Sequence, residues 1–234
     1  MSTLEGSRQI VTDSLILYLD AANINSYVPI AGSTSATWID MSRLNTSSTI
    51  GNSPIYTSEY GGGLIFNGIN NYVLIGTDQN YYFNLTKTYT ISVWFKLKIF
   101  QITGLISRYN KNVVGNYFVK IGYNCIMYNR EVTPFNLFSS SLFNLDVVYN
   151  AAVVYDGTSQ KIYINGVLES QQLSGNIAQN QSNINLYIGC SQTSGNRSEF
   201  FNGTIYNVKI YNKGLSADEV LKNYNALKNR FVIL

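Results

Sequence analysis

The chain has 234 residues, of which 45% are hydrophobic, 14% aromatic and only 12% charged, and its formal net charge is +3. Because the chain contains no histidine, Ser–His and Cys–His nucleophilic pairs, histidine-ligated zinc and an imidazole general base are excluded. The 16 basic residues form no block, so no nucleic-acid partner is predicted.

The first half of the chain is predicted to form a polar arm followed by short strands. The arm covers residues 1–13. Period-two alternation is clearest in the segment that begins at Tyr89, where Ile91, Val93 and Phe95 share one face and Trp94 lies on the other. The strands predicted in this half are Leu15–Asp20, Leu64–Gly68, Asn70–Ile75, Tyr89–Leu97, Gly104–Tyr109, Tyr117–Tyr123 and Cys125–Asn129.

The second half continues the series of strands. The dipeptide Asn165-Gly166 is the strongest short hairpin signal in the chain, and Asp156-Gly157 marks another turn. The strands predicted here are Asp146–Tyr155, Lys161–Ile164, Val167–Glu169, Asn185–Cys190 and Gly203–Tyr211.

One helix is predicted near the C-terminus. Ser216 is a candidate N-cap, Glu219 completes a capping box, and Val220 and Tyr224 begin an apolar side. Many short strands and a single helix predict an all-β fold. We expect an antiparallel two-sheet jelly-roll sandwich at 14–230, with one short C-terminal helix and a tail at 231–234.

Six segments resemble, in the same order, the laminin-G-like, concanavalin-A-like jelly roll of bacterial and viral surface proteins. They read LILYLDAAN, TWIDMS, GGLIFNGINNYV, YTISVWFK, YDGTSQKIYINGVL and FFNGTIYNVKIYNKGLSADEV, and together they span about residues 14–225. The chain departs from the family after Ser42, where Arg43 stands in place of the usual glycine. The resemblance implies that Trp38 and Trp94 pack in the core.

Glycoside hydrolysis is the enzymatic activity that this resemblance leaves open. It needs two carboxyl groups flanking the scissile bond, and hydrolases of this type commonly carry an E-x-D-x-x-E strand. The 13 acidic residues form no such strand, and Glu131 with Asp146 is the remaining candidate pair. We therefore predict a protein that is not an enzyme.

Calcium is the one cofactor that the resemblance suggests, because laminin-G-like domains often bind it through carboxylate and carbonyl oxygens. Asp20 and Asp40 are the candidate ligands. The alternative is that both carboxylates accept hydrogen bonds from loop backbone. The prediction is that no cofactor and no metal ion is bound, with Asp20 and Asp40 as the ligands if calcium is. Cys125 and Cys190 are predicted to be free buried thiols, and a disulfide requires that their strands be neighbours.

Carbohydrate binding would use aromatic faces against sugar rings and amide groups against hydroxyls. Several Tyr and Asn residues lie near predicted loops and offer such groups. The alternative is that tyrosine, which is abundant in this chain, simply packs on half-buried sheet surfaces. The candidate carbohydrate-binding residues are Tyr81, Tyr82, Tyr109, Asn110, Tyr123 and Tyr128.

These observations favour a virion structural and adhesion protein, such as a phage capsid decoration or a tail or fibre component. No signal peptide is visible in the arm, and no apolar run approaches the roughly 18 residues of a membrane span, so no membrane partner is predicted. The expected location is the virion exterior, with an extracellular or cell-surface location as the alternative. Other virion proteins or further copies would bind the arm and the tail, and surface glycans would bind weakly and multivalently. The alternatives are a soluble lectin module and, less favoured, a glycoside hydrolase.

Overall fold

Two antiparallel sheets packed face to face form the body of the protein, and the one α-helix of the described residues lies outside the larger sheet. The computed structural model describes residues 9–29, 37–81, 83, 87–109, 117–130, 136–174, 184–193 and 195–231. The strands are β1 Leu15–Asp20, β2 Thr49–Gly51, β3 Ile55–Thr57, β4 Gly63–Asn67, β5 Tyr72–Gly76, β6 Tyr89–Leu97, β7 Thr103–Arg108, β8 Tyr117–Gly122, β9 Cys125–Asn129, β10 Asn136–Phe138, β11 Val148–Tyr155, β12 Ser159–Ile164, β13 Val167–Leu173, β14 Leu186–Ile188, β15 Ser191–Thr193, β16 Asn196–Ser198 and β17 Asn202–Tyr211. The helix is α1, Ala217–Lys228.

The larger sheet has the strand order β13-β12-β11-β6-β17-β4-β3, and β1 pairs with the second half of β17. The smaller sheet has the order β10-β9-β8-β7-β14-β5-β2, and β15 and β16 form a separate hairpin. Every pairing between these strands is antiparallel. The predicted antiparallel two-sheet jelly-roll sandwich is therefore confirmed.

The core lies between the two sheets. In β6, Ile91, Val93 and Phe95 point into it, as their alternation predicts, and β17 pairs alongside with equally apolar side chains. Trp94 points to the other face of the sheet and is covered there, so only 3% of it is exposed. Trp38 is fully buried. Both tryptophans therefore pack inside the protein, as the resemblance implies.

Helix α1 covers the outer face of the larger sheet. Val220 packs against side chains of β11, β12 and β17, and Val11 from the N-terminal segment completes this second apolar layer. The backbone nitrogen of Val11 donates to Asn223 Oδ1 at 2.8 Å, and Tyr211 donates from its hydroxyl to the carbonyl of Val11 at 3.0 Å. Val11, which belongs to the predicted arm at 1–13, therefore packs against this chain's own helix.

The predicted capping box begins α1. Ser216 accepts a hydrogen bond from the backbone nitrogen of Glu219 at 3.2 Å, and Glu219 accepts one from the backbone nitrogen of Ser216 at 2.9 Å. We expect Ser216→Ala to lower the free energy of unfolding by about 1 kcal/mol, because it removes the cap of a helix that covers a sheet. Chemical denaturation measures this change. An equal loss in Ser140→Ala, an exposed serine outside the helix, would contradict the assignment.

The two cysteines are free and buried, which confirms the prediction. Cys190 lies just after β14 and Cys125 begins β9, so the smaller sheet separates them by two strands, β7 and β8. Burial raises the pKa of the Cys190 thiol to about 12 and also raises the pKa of the Cys125 thiol. Both thiols therefore act as small apolar groups in the packing.

Candidate functional site

A groove of about 210 Å³ opens on the outer face of the larger sheet, where β4, β6 and β17 meet. Its walls come from segments that are far apart in the sequence and that the sheet brings together. The lining residues are Glu59, Ile65, Lys96, Leu97, Lys98, Asp146, Asn202, Gly203 and Thr204. We name this surface the sheet groove.

The floor of the sheet groove is apolar and closely packed. Ile65 on β4 contributes a side chain that is 38% exposed, and its register partner on β17 is Thr204. Gly203 has φ +151°, and a Cβ there would lie 2.1 Å from the carbonyl oxygen of Lys96. Only glycine therefore lets β17 approach β6 this closely at the floor.

Two ion pairs form the rim. Lys96 Nζ contacts Glu59 Oε2, and Lys98 Nζ lies 3.1 Å from Asp146 Oδ1. Glu59 also accepts a hydrogen bond from the Tyr206 hydroxyl at 3.3 Å. The second pair is largely exposed, and an exposed pair contributes only about 0–1 kcal/mol to stability. A ligand can therefore exchange hydrogen bonds with this rim at little cost.

The residues after α1 hold the rim in place. Arg230 donates to the carbonyl oxygens of Tyr60 and Gly62 and forms a 2.8 Å ion pair with Asp20. Tyr60 has φ +50°, a conformation that is strained for a bulky residue and that these contacts stabilise. Because Glu59 precedes Tyr60, the same contacts position the carboxylate of the rim.

Phe231, the residue after Arg230, also packs against the larger sheet. Its ring stacks on Trp94 at 4.3 Å and lies 5.2 Å from the Tyr206 ring. Phe231, the first residue of the predicted tail at 231–234, therefore packs against its own sheet, and the role of that tail in binding partners stays a prediction. Residues 232–234 lie outside the described part of the chain.

The two carboxylates of the rim, Glu59 and Asp146, are not available as the acid and base of a hydrolytic reaction. Glu59 and Asp146 each already bind a lysine ammonium. Glu131, the other half of the candidate pair predicted with Asp146, lies outside the described residues. Glu59 and Asp146 therefore do not form the pair of carboxyl groups that hydrolysis of a glycosidic bond requires.

Two of the predicted carbohydrate-binding residues are buried in the core. Tyr81 is fully buried, and its hydroxyl hydrogen-bonds with Thr46 at 2.8 Å. Tyr128 is also fully buried and donates to the hydroxyl of Tyr89 at 2.7 Å. Burial raises the pKa of both phenols. The prediction is wrong for these two residues, because a ring inside the core cannot meet a sugar.

Tyr109 and Tyr123, two further predicted carbohydrate-binding residues, do not line the sheet groove. Tyr109 is half-buried at the end of β7, where its ring packs edge-on against Phe118 at 5.1 Å and lies 4.9 Å from Lys120 Nζ. Tyr123 lies in the β8–β9 turn and is 77% exposed. Tyr82 and Asn110 lie outside the described residues.

The predicted calcium ligands have other hydrogen-bond partners. Asp40 is buried and accepts from the backbone nitrogens of Tyr18, Ser42 and Thr46 and from the Ser42 hydroxyl, at 2.8–3.0 Å. Asp20 binds Arg230 and the backbone nitrogen of Ala22. Within the described ranges, no group of three or more Cys, Asp or Glu side chains is arranged to hold a metal ion.

The structure is that of a jelly-roll module. Two antiparallel sheets enclose an apolar core, a helix lies outside the larger sheet, and a groove opens on that sheet's outer face. A family model described as Concanavalin A-like lectin/glucanases superfamily (Laminin_G_3) matches residues 66–221. The chain belongs to this superfamily, as the resemblance predicted. No curated protein matches the chain.

Solved structures with the same fold include toxin binding domains and an enzyme. The binding domain of Paraclostridial Mosquitocidal Protein 1 has a TM-score of 0.70 and 14% identity, and the match covers 91% of this chain and 52% of that one. The receptor-binding domain of botulinum neurotoxin C/D mosaic serotype has a TM-score of 0.66 and 15% identity, covering 92% and 51%. A Trypanosoma rangeli sialidase mutant displaying trans-sialidase activity has a TM-score of 0.69 and 13% identity, covering 96% and 35%.

The chain thus spans about half the length of the toxin domains and about a third of the sialidase. At these sequence identities, the similarity to the solved structures is evidence for the fold alone. Among the described residues, no helix is both long and apolar enough to cross a membrane.

Proposed function

We propose that this chain is a non-enzymatic glycan-binding module and that the sheet groove holds the saccharide. The observation that carries the proposal is the groove itself, an aliphatic floor ringed by hydrogen-bonding groups on the outer face of the larger sheet. Its volume of about 210 Å³ lies below the roughly 300–1,000 Å³ of pockets for drug-sized ligands and suits a single sugar unit.

The residues that line the sheet groove can contact both the apolar C–H face of a sugar ring and its hydroxyl groups. Ile65 offers aliphatic carbon to the C–H face of a pyranose ring. Asn202 and Thr204 offer groups that donate and accept hydrogen bonds, and the two lysine–carboxylate pairs offer further donors and acceptors to hydroxyls. Membership in a superfamily named for lectins and glucanases supports the same class of ligand.

The ion pairs of the rim favour binding over hydrolysis. A glycosidase needs one carboxyl group that gives up a proton and a second that acts as base or nucleophile. In the sheet groove both carboxylates bind lysines instead. The toxin binding domains that share this fold are consistent with this, and the sialidase is almost three times as long as this chain.

A glycan array with the purified chain, followed by titration of the strongest glycan, tests the proposal. We expect Ile65→Arg, which fills the groove, to weaken binding by about tenfold or more, equivalent to about 1.4 kcal/mol or more. Leu173→Arg on β13, an exposed apolar position on the far edge of the same sheet, is the matched control and should bind like the wild type. Equal affinities for wild type and Ile65→Arg would place the glycan elsewhere and overturn the proposal.

A virion structural or adhesion role remains a prediction from the sequence. Multiple copies on a particle would convert weak glycan binding into avidity. Mass spectrometry of virus particles purified from the source tests the virion role. Absence of the protein from those particles would exclude that role. Strong binding by the isolated monomer would favour the soluble lectin instead.

A further inference from the structure

Exposed apolar side chains collect in the connections at one end of the sandwich. The loop between β6 and β7 carries Phe100 at 46% exposure and Ile102 at 52%. The β8–β9 turn carries Tyr123 at 77%, and the connection before β11 carries Leu142 at 68%. The surface that we name the apolar end consists of Ile99, Phe100, Ile102, Tyr123, Leu142 and Leu145.

Strand pairing and loop contacts bring these connections together. Thr103 begins β7 opposite Ile121, so the β6–β7 loop lies beside the β8–β9 turn. The backbone nitrogen of Phe143 donates to the carbonyl of Asn124 at 2.7 Å, and that of Asp146 donates to the carbonyl of Leu97 at 2.8 Å. The connection before β11 is thus fixed to both of the others.

The backbone at Tyr123 is an additional sign that this end has a function. Tyr123 and Asn124 have φ +54° and +62°, the left-handed region that two-residue hairpin turns usually fill with Asn and Gly. A tyrosine is strained there, and its ring is nevertheless largely exposed beside Phe138 at 6.1 Å. Folding alone does not require an exposed aromatic ring at this position.

Two lysines around the apolar end are paired with carboxylates. Lys98 pairs with Asp146, and Lys120 Nζ lies 2.6 Å from Glu199 Oε2. The Glu169 carboxylate accepts from the backbone nitrogen of Ser141 at 2.9 Å, a hydrogen bond that leaves its negative charge in place. This end therefore offers apolar side chains without a pattern of unpaired charge that would select a charged partner.

A lipid surface fits these features better than a protein does. Aliphatic side chains mixed with Phe and Tyr are the composition found where proteins enter the boundary between headgroups and acyl chains. The apolar end is divided among three separate connections, and a fluid lipid surface accepts such side chains without the shape complementarity that a protein interface needs. With both lysines paired, no basic patch is left to select an anionic lipid, which favours a zwitterionic one.

We propose that the apolar end inserts into the headgroup boundary of a zwitterionic phospholipid bilayer and that the ligand of the sheet groove is the saccharide of a glycolipid. The second half of this statement rests on the proposed function. Lys98 and Asp146 line the groove and directly adjoin Ile99 and Leu145 of the apolar end. A sugar in the groove therefore stands beside the surface that meets the lipid. Partial burial of residues in a bilayer surface needs no membrane-spanning segment.

Vesicle binding tests the lipid contact independently of any glycan. With phosphatidylcholine vesicles that carry no saccharide, we expect the wild-type chain to co-sediment and Phe100→Ser/Leu142→Ser to lose about tenfold or more in partitioning, because two exposed apolar side chains are removed. Ile24→Ser/Leu173→Ser removes two exposed apolar side chains away from this end and should partition like the wild type. In a Tyr123→Trp variant, lipids brominated on their acyl chains should quench the new indole.

Several results would overturn the lipid contact. They are no co-sedimentation of the wild type, equal partitioning of the two double variants, or no quenching of the indole introduced by Tyr123→Trp. Concentration-dependent self-association in sedimentation that Phe100→Ser/Leu142→Ser abolishes would assign this end to a second copy instead. The glycan array reports on the groove alone, so failure there with intact vesicle binding removes the glycolipid and leaves the lipid contact standing.

Discussion

Replacing Asp40 by alanine is expected to lower the free energy of unfolding by about 3–5 kcal/mol, the cost of breaking a buried charged network. The carboxylate is buried and accepts three backbone N–H groups and one hydroxyl, which lie in β1 and in the loop that follows Trp38. Alanine would leave these donors buried without an acceptor. Urea denaturation of both proteins measures the difference.

Asparagine is the matched control at this position. Asp40→Asn keeps one acceptor oxygen and the same size, so we expect an intermediate loss. The same series tests calcium, which the resemblance suggested for Asp20 and Asp40. We expect millimolar calcium to leave the melting temperature of the wild type unchanged, because the carboxylate oxygens of Asp40 are already used. A clear rise with calcium that Asp40→Asn abolishes would show that the loop binds the ion.

Replacing Lys209 by methionine is expected to remove a large part of the pH dependence of stability between about pH 7 and pH 10. Lys209 lies on β17 and is almost fully buried, with Asp20 and Arg230 as charged neighbours, and burial lowers the pKa of its amine to about 7 from 10.5. In the unfolded chain the amine stays protonated until the pH approaches its ordinary value. Between these limits the unfolded state therefore binds more protons, and stability rises with pH.

In the wild type, the contribution of Lys209 should make the protein less stable by a few kcal/mol at pH 6.5 than at pH 9.5. The measurements stay below pH 10, because burial raises the pKa of Tyr18 to about 12, and ionisation of phenols in the unfolded chain lowers stability above their ordinary pKa. Lys209→Met should flatten this dependence, whereas Lys98→Met, which removes an exposed lysine, should leave it unchanged. Equal slopes in Lys209→Met and the wild type would contradict the assignment.

Much of the fold was predictable because its signals are local. The alternation in Tyr89–Leu97 and in Leu15–Asp20 predicts β6 and β1 with the observed bounds, and Ser216 with Glu219 predicts the start of α1. The three-residue strands β2, β3 and β10 were not predicted, because so few residues carry no periodicity. β13 runs to Leu173, beyond the predicted Val167–Glu169, through a mostly polar edge segment.

The site was less predictable because strand pairing builds it. Glu59, Lys98 and Asp146 come from three distant segments, and nothing local brings them together. Tyr81 and Tyr128 were wrongly predicted as binding residues because a strand or turn that is covered on both sides gives no sign of which tyrosines point inward. The alternation of Lys96 and Lys98 across Leu97 was the one available signal, since it places two polar side chains on the same side of the chain where β6 ends.

The position of a bound glycan tests the central claim most directly. Backbone amide chemical shifts of the labelled chain, recorded while the strongest array glycan is added, locate the contact residue by residue. We predict the largest shifts at Ile65, Lys96, Lys98 and Asn202, which line the sheet groove. Shifts confined to the surface around Tyr109 and Tyr123, or no shifts at saturating glycan, would contradict the account.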